Sequence, residues 1–278
     1  MNRIMELGHR ANINVFSFGE KDIVLYDDHR TLLNVLFEAD RKALFPQTPN
    51  LIYFDFHDDA CWSLSQKQLL EKIGVDDLSE ATSKQFWSFV EFDLGTLDDD
   101  WLLTGMELGL IKDAVLIGGK KTNHISDDLD NNRHISDDGV SHEVYSIPHL
   151  RQSVGCRGCL GDSIIKEPYY QNVRDIFQYH RGSFDDAPTY PFVLDFDLDC
   201  FTTSCRGVTY AWPEDIFRRE YVDIPSVKCF LDSLIERACF ITICREPDYC
   251  GGIGESNKIL HYLDKYFFDG AIHTIPIY

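Results

Sequence analysis

Short apolar runs recur along the chain, and most are followed by a stretch with helical spacing. Ile23–Tyr26, Leu51–Phe54, Ala114–Ile117, Phe192–Phe196 and Phe240–Cys244 read as strands. Thr31–Phe37, Gln66–Ile73, Ser83–Val90 and Trp101–Leu110 read as helices, the last ended by Gly109. Asn257–Phe268 places Ile259, Leu260, Leu263 and Phe267 on one face of a further helix. Strands alternating with helices predict an α/β fold, a three-layer α/β/α sandwich built on a mainly parallel sheet. No Pro-, Gly- or Ser-rich stretch divides the 278 residues, so a single domain over 1–278 is expected.

One segment departs from this rhythm. Asn123–Asp128 is nearly repeated by Arg133–Asp138, in a polar stretch poor in core-forming residues, and an exposed loop is expected over 120–150. Its His and Asp residues admit a second metal site or a substrate-recognition loop, but a solvated acidic loop is the simpler account.

Composition narrows the partners. With 46 acidic against 26 basic residues the formal charge is −20, which disfavours nucleic acid and permits attraction of basic peptides. The nine cysteines include one close pair, Cys156 and Cys159, with no second pair to complete a zinc-thiolate site. A reducing cytoplasm fits that usage. The Met1–Glu6 start lacks the apolar core of a signal peptide and no apolar run is long enough to cross a bilayer, so neither secretion nor membrane insertion is expected.

Candidate chemistry lies where two strands break into carboxylates. Asp55-Phe56-His57-Asp58-Asp59 follows one apolar run, and Asp195-Phe196-Asp197-Leu198-Asp199 ends another. Alternation along an extended chain would set Asp55, His57 and Asp59 on one side with Asp58 turned away, and would align Asp195, Asp197 and Asp199. Crowded carboxylates resist burial unless a cation neutralises them. Oxygen-rich ligation with a few histidines suits Mn²⁺. So many anionic ligands favour two ions roughly 3.5–4 Å apart over one. Each cluster taken alone would be read as a helix cap or a solvated strand end. A haloacid dehalogenase phosphatase also begins with D-x-D, but the Thr expected four residues on is replaced by Asp199 or Phe201.

These motifs resemble those of the arginase, or ureohydrolase, superfamily. Asp55–Asp59 resembles its D-x-H-x-D, Pro191–Asp199 its strand ending in S-x-D-x-D with Asp195 at the Ser position, and Asp28-His29 its early D-H. Spacing around Asp28–Arg30, Leu194–Phe201 and Thr242–Gly252 is similar to the divergent branch of peptide arginases, which convert peptidyl arginine to ornithine. The resemblance implies His29, Asp55, His57, Asp59, Asp197 and Asp199 as ligands of two Mn²⁺ ions. It implies hydroxide attack on a guanidinium carbon and release of urea, with Asp59 orienting the water or carrying its proton. It also implies a glutamate that grips the guanidinium, for which Glu246 is the candidate, while a register aligned on Pro247 puts Cys244 there instead. The family's acid/base histidine has no assigned match, although His124, His134 and His142 lie in the 120–150 stretch. The implied substrate is an arginine-containing peptide. Two other readings stand beside it: a deacetylase-like metal amidohydrolase with a mononuclear zinc site, and a non-catalytic arginase-like module that binds peptide. Oligomeric state is not legible.

Overall fold

The computed structural model describes residues 13–95, 99–118, 132–148 and 191–274. The chain enters through an antiparallel pair, β1 (Asn14–Phe18) and β2 (Lys21–Tyr26), and continues into α1 (Thr31–Arg41) and β3 (Asn50–Asp55). Helices α2 (Gln66–Ile73), α3 (Ser83–Phe92) and α4 (Trp101–Glu107) precede β4 (Ala114–Gly118). After β5 (Arg133–Ile135), β6 (Ser141–Pro148) and β7 (Phe192–Asp197) comes a hairpin, β8 (Thr202–Cys205) and β9 (Val208–Ala211). The chain then runs through α5 (Glu214–Tyr221), α6 (Pro225–Arg237), β10 (Ile241–Cys244), the short α7 (Pro247–Cys250) and α8 (Ile253–Phe267).

Eight strands form one sheet in the order β1-β2-β10-β7-β3-β4-β6-β5, parallel throughout except for the outer pairs β1–β2 and β5–β6. The apolar runs are continuous because the central strands are buried on both faces. In β2, Ile23 and Leu25 join the core under α5, α6 and α8, while Val24 and Tyr26 join the core under α1 to α4. In β3, Ile52 and Phe54 face the first core, and Leu51 and Tyr53 the second. Helices therefore cover both faces, as the alternation predicted.

Two of the helices begin with reciprocal capping boxes, Ser65 with Gln68 and Thr82 with Gln85, which set where they start. Gly109, at φ +70°, follows the last turn of α4 and lets the chain leave the helix.

The stretch expected as a loop over 120–150 contains β5 and β6 instead, and β6 is a full member of the sheet beside β4. Val144 is its one fully buried apolar side chain among Ser141–Ser146, and the other inward positions are His142 and Ser146. A hydrogen bond offsets the polarity of His142, whose Nδ1 lies 2.5 Å from the Lys112 carbonyl, and Glu143 N donates to Asp113 at 2.9 Å, while the buried Ser146 hydroxyl has no hydrogen-bond partner among the described residues. The first copy of the repeat, His124 and the Cys156–Cys159 pair lie outside the described residues. No helix among the described residues is long and apolar enough to cross a membrane.

Candidate metal centre

Strands β2, β10, β7 and β3 are adjacent, and their C-terminal ends carry the acidic segments. That is the end of an open α/β sheet where ligands bind. After β2, Asp28 accepts from Arg30 N at 3.0 Å and from its guanidinium at 2.7 and 3.1 Å. This tight turn leaves the intervening His29 ring pointing inward, fully buried.

Beyond β3, strand alternation ends and local turns take over. His57 N donates to Asp55 Oδ1 at 2.6 Å, and Phe56 N donates to Asp199 Oδ1 at 3.1 Å, tying the ends of β3 and β7 together. Asp59 stands at φ +48°, and Trp101 Nε1 donates to its Oδ2 at 2.6 Å. Asp197 Oδ1 accepts from Asp199 N at 3.0 Å and starts the 3-10 turn Leu198–Phe201. His57, Asp59 and Asp199 thus reach the site through turns, not by the extended-chain geometry expected for them. Asp58 joins none of the ligand groups.

His29 Nδ1 lies 3.3 Å from Asp55 Oδ2, 3.0 Å from Asp59 Oδ2 and 3.1 Å from Asp197 Oδ2. Nδ1 and the Asp55 and Asp197 oxygens are buried with no hydrogen-bond partner. Donors held at about 2.1 Å from one ion sit about 3.0 Å apart on an octahedral edge and about 3.4 Å apart on a tetrahedral one. The His29 Nδ1 distances fall in that interval, and His29, Asp55 and Asp59 offer ligand atoms all within 4.8 Å of one another, so this trio fits a divalent cation. A second group joins Asp55, His57 and Asp199, with His57 Nδ1 3.0 Å from Asp199 Oδ2 and 3.9 Å from Asp55 Oδ1. Asp55 belongs to both groups. His29, Asp197 and Glu246 form a third set, with one potential ligand atom of each within 4.8 Å of the others.

The crowding shows in the acid–base properties. Burial, then Asp59 and Asp197, raise the Asp55 carboxyl well above its ordinary range. Burial followed by Asp199 pushes Asp197 up to about 7. Burial followed by Asp197 pushes Glu246 up to about 12. Burial alone would lower His29, but the Asp195 charge and hydrogen bonds with Asp195, Asp197 and Asp55 raise it well above the usual imidazole value. The hydrogen bond to Asp199 leads the causes that lift His57 to about 9. Such a cluster exchanges protons for a cation, so metal uptake would release protons.

Asp195, which stands outside the expected ligand set, lies behind His29. Its Oδ2 is 2.8 Å from His29 Nε2, while Oδ1 accepts from Tyr26 Oη at 2.9 Å and Thr242 Oγ1 at 2.5 Å. A carboxylate only accepts, so it places the imidazole proton on Nε2 and turns the Nδ1 lone pair toward Asp55, Asp59 and Asp197. Trp101 lies against the same ring, centroids 4.5 Å apart. Alternation in β7 was the available signal: position 195 is one strand repeat deeper than 197, where an acid needs a dedicated partner.

All six expected ligand residues and Glu246 therefore converge. Cys244 is buried within β10, paired in register with Asp197, and joins none of the groups. His134 and His142 lie elsewhere, His134 Nε2 sitting 2.7 Å from Glu107 and His142 sitting near Lys112 and Ser136. Neither belongs to a ligand group among the described residues.

No family model and no curated protein matches this sequence. Among solved structures, the chain is similar to a crystal structure of Helicobacter pylori arginase at 13% identity and a TM-score of 0.40, covering 98% of this chain and 77% of that one.

Proposed function

We propose that this protein is a divalent-metal-dependent hydrolase that converts peptidyl arginine to ornithine with release of urea, using two Mn²⁺ ions. The observation that carries the metal reading is the convergence of His29 Nδ1, Asp55 Oδ2 and Asp197 Oδ2, all buried and unpartnered, on one locus. His29, Asp55, Asp59 and Asp197 would hold one ion; Asp55, His57 and Asp199 would hold the second. When bound, such ions make water a nucleophile at neutral pH.

The chain's own groups supply the rest. Trp101 fixes Asp59 Oδ2, leaving the second oxygen to take a proton from the attacking water and pass it to the departing amine. Glu246, buried beside His29 and Asp197, would ionise once bound cations offset the acidic neighbours that raise it, and would then offer a carboxylate to the guanidinium N–H donors. A pocket of about 510 Å³ lined by His57, Asp199, Phe56, Thr202, Thr203, Ser204, Thr209 and Tyr249 gives access from solvent. The net charge of −20 favours the approach of a basic peptide.

Mass spectrometry of arginine peptides incubated with the Mn²⁺-loaded protein is the test. Each event removes about 42 Da, the difference between a guanidine and an amine after hydrolysis. Unchanged arginine masses together with acetate released from acetyl-lysine peptides, and one zinc per chain, would move the assignment to a deacetylase-like amidohydrolase.

A further inference from the structure

The β8–β9 hairpin stands apart from the main sheet and begins three residues after Asp199. Its turn is two residues long, Arg206 and Gly207, both at positive φ, the form that joins two tightly paired strands. In such a hairpin the flanking pair Cys205–Val208 exchanges backbone hydrogen bonds, as does Thr203–Tyr210 two residues on, and the intervening pairs point their N–H and C=O groups outward. The contacts follow this pattern. Trp212 N donates to the Phe201 carbonyl at 2.8 Å, continuing the ladder.

On the β9 side the outward groups are covered. Ala211 N donates to Glu255 at 2.9 Å, and the Gly251 backbone is pressed so closely on the Thr209 carbonyl that a Cβ there would sit 2.1 Å from its oxygen. On the β8 side, Trp212 Nε1 takes the Thr202 carbonyl at 2.7 Å and the Thr202 N–H donates to the Asp199 carbonyl, leaving both main-chain groups of Ser204. No strand other than β9 pairs with β8 among the described residues, and Thr203, Ser204 and Cys205 are exposed. This open edge runs along the pocket that ends at His57 and Asp199.

We propose that the free edge of β8 takes up the main chain of an extended, arginine-bearing peptide by strand addition, with Ser204 N–H and C=O as the central pair and the basic side chain directed down the pocket. This rests on the hydrolase reading for the fate of the arginine, but not for its binding. Charge complementarity selects the occupant: the pocket ends at the Asp199 carboxylate on a strongly acidic chain, and an extended strand offers backbone donors and acceptors to the β8 edge. Strand addition makes main-chain contacts the source of affinity and leaves neighbouring side chains loosely specified, so the substrate class is a peptide segment in extended conformation.

The test measures binding of a fluorescent peptide, one arginine flanked by alanines, to the Mn²⁺-loaded full chain. Ser204→Pro deletes an N–H that the hairpin ladder does not use, so the hairpin is retained; native Mn²⁺ uptake and melting temperature check this. The variant is expected to bind about fivefold to tenfold more weakly, the loss of one backbone hydrogen bond. Backbone N-methylation at alternate residues beside the arginine removes the donor to the Ser204 carbonyl and, tested on the native chain, should weaken binding by a similar factor at one register; combined with the variant the losses should multiply, because two different hydrogen bonds are removed. Native-strength binding in either arm, or a dimer formed through this edge that excludes the peptide, would overturn the proposal. Losses in both arms without ornithine formation would sink the hydrolase reading while leaving the strand-addition edge standing.

Discussion

Asp195→Asn tests how the cluster is built, because it changes one charge and almost no volume. Asp195 satisfies His29, Tyr26 and Thr242 at once. An asparagine can present its amide to His29, forcing the imidazole proton onto Nδ1 and into the face that meets Asp55, Asp59 and Asp197. Alternatively it presents its oxygen, which preserves the tautomer but withdraws the charge that makes the ring a strong donor. Loss of such a supporting partner lowers metal affinity about tenfold to hundredfold, or about 1.4 to 2.7 kcal/mol, and the oxygen-facing orientation should lie near the lower end. The assay is calorimetric titration with Mn²⁺, paired with thermal melts with and without the ion. At saturating metal the ion-induced stabilisation should shrink by the same amount. An affinity within threefold of native, in a variant that melts cooperatively, would refute the assignment of Asp195 as the residue that positions His29.

Three further outcomes are expected. Asp197→Ala should abolish metal uptake and turnover together while the far-ultraviolet circular dichroism stays native; full metal content would show that the ligand set is wrong. Glu246→Gln should bind Mn²⁺ within a few-fold of native yet lose at least tenfold in affinity for an arginine peptide, as read by fluorescence anisotropy, since an amide cannot pair ionically with a guanidinium; unchanged peptide affinity would remove it from the substrate site. Burial lowers the His142 pKa below its ordinary 6.5, so the fold favours the neutral ring. The stability from this preference is complete above about pH 6.5 and is lost as pH falls below it. Urea midpoints at pH 7.5 and pH 5 should therefore differ less in His142→Asn than in the native chain, and equal pH slopes would contradict the assignment.

The central strands were legible because both their faces are buried, so β2, β3 and β4 appear as apolar runs, and β7 and β10 as runs broken within only by Asp195 and Thr242. β6 was not: its inward side holds His142 and Ser146 beside Val144, and hydrogen bonds, not hydrophobicity, secure it. β1 and the β8–β9 hairpin hide for a related reason, since their strands are largely exposed and carry no continuous apolar face. The chemistry of the centre was legible in residue type and spacing, but its geometry was not. Asp59 and Asp199 are placed by a left-handed backbone and a 3-10 turn, which alternation rules do not anticipate. The choice between Glu246 and Cys244 depended on a turn after β10 whose conformation no pattern announces.

That turn and the one at Asp59 share a trait with a practical consequence. Both residues carry a side chain where the backbone favours glycine, φ +35° and +48°, a conformation about 1 kcal/mol dearer for most residues. Glycine at either place would relax the chain and silence the carboxylate. Directed evolution that rewarded heat tolerance alone, in chelator-treated cultures, would drift toward these replacements and return a sturdier but inert scaffold; the metal must be present in the selection for the acids to be kept.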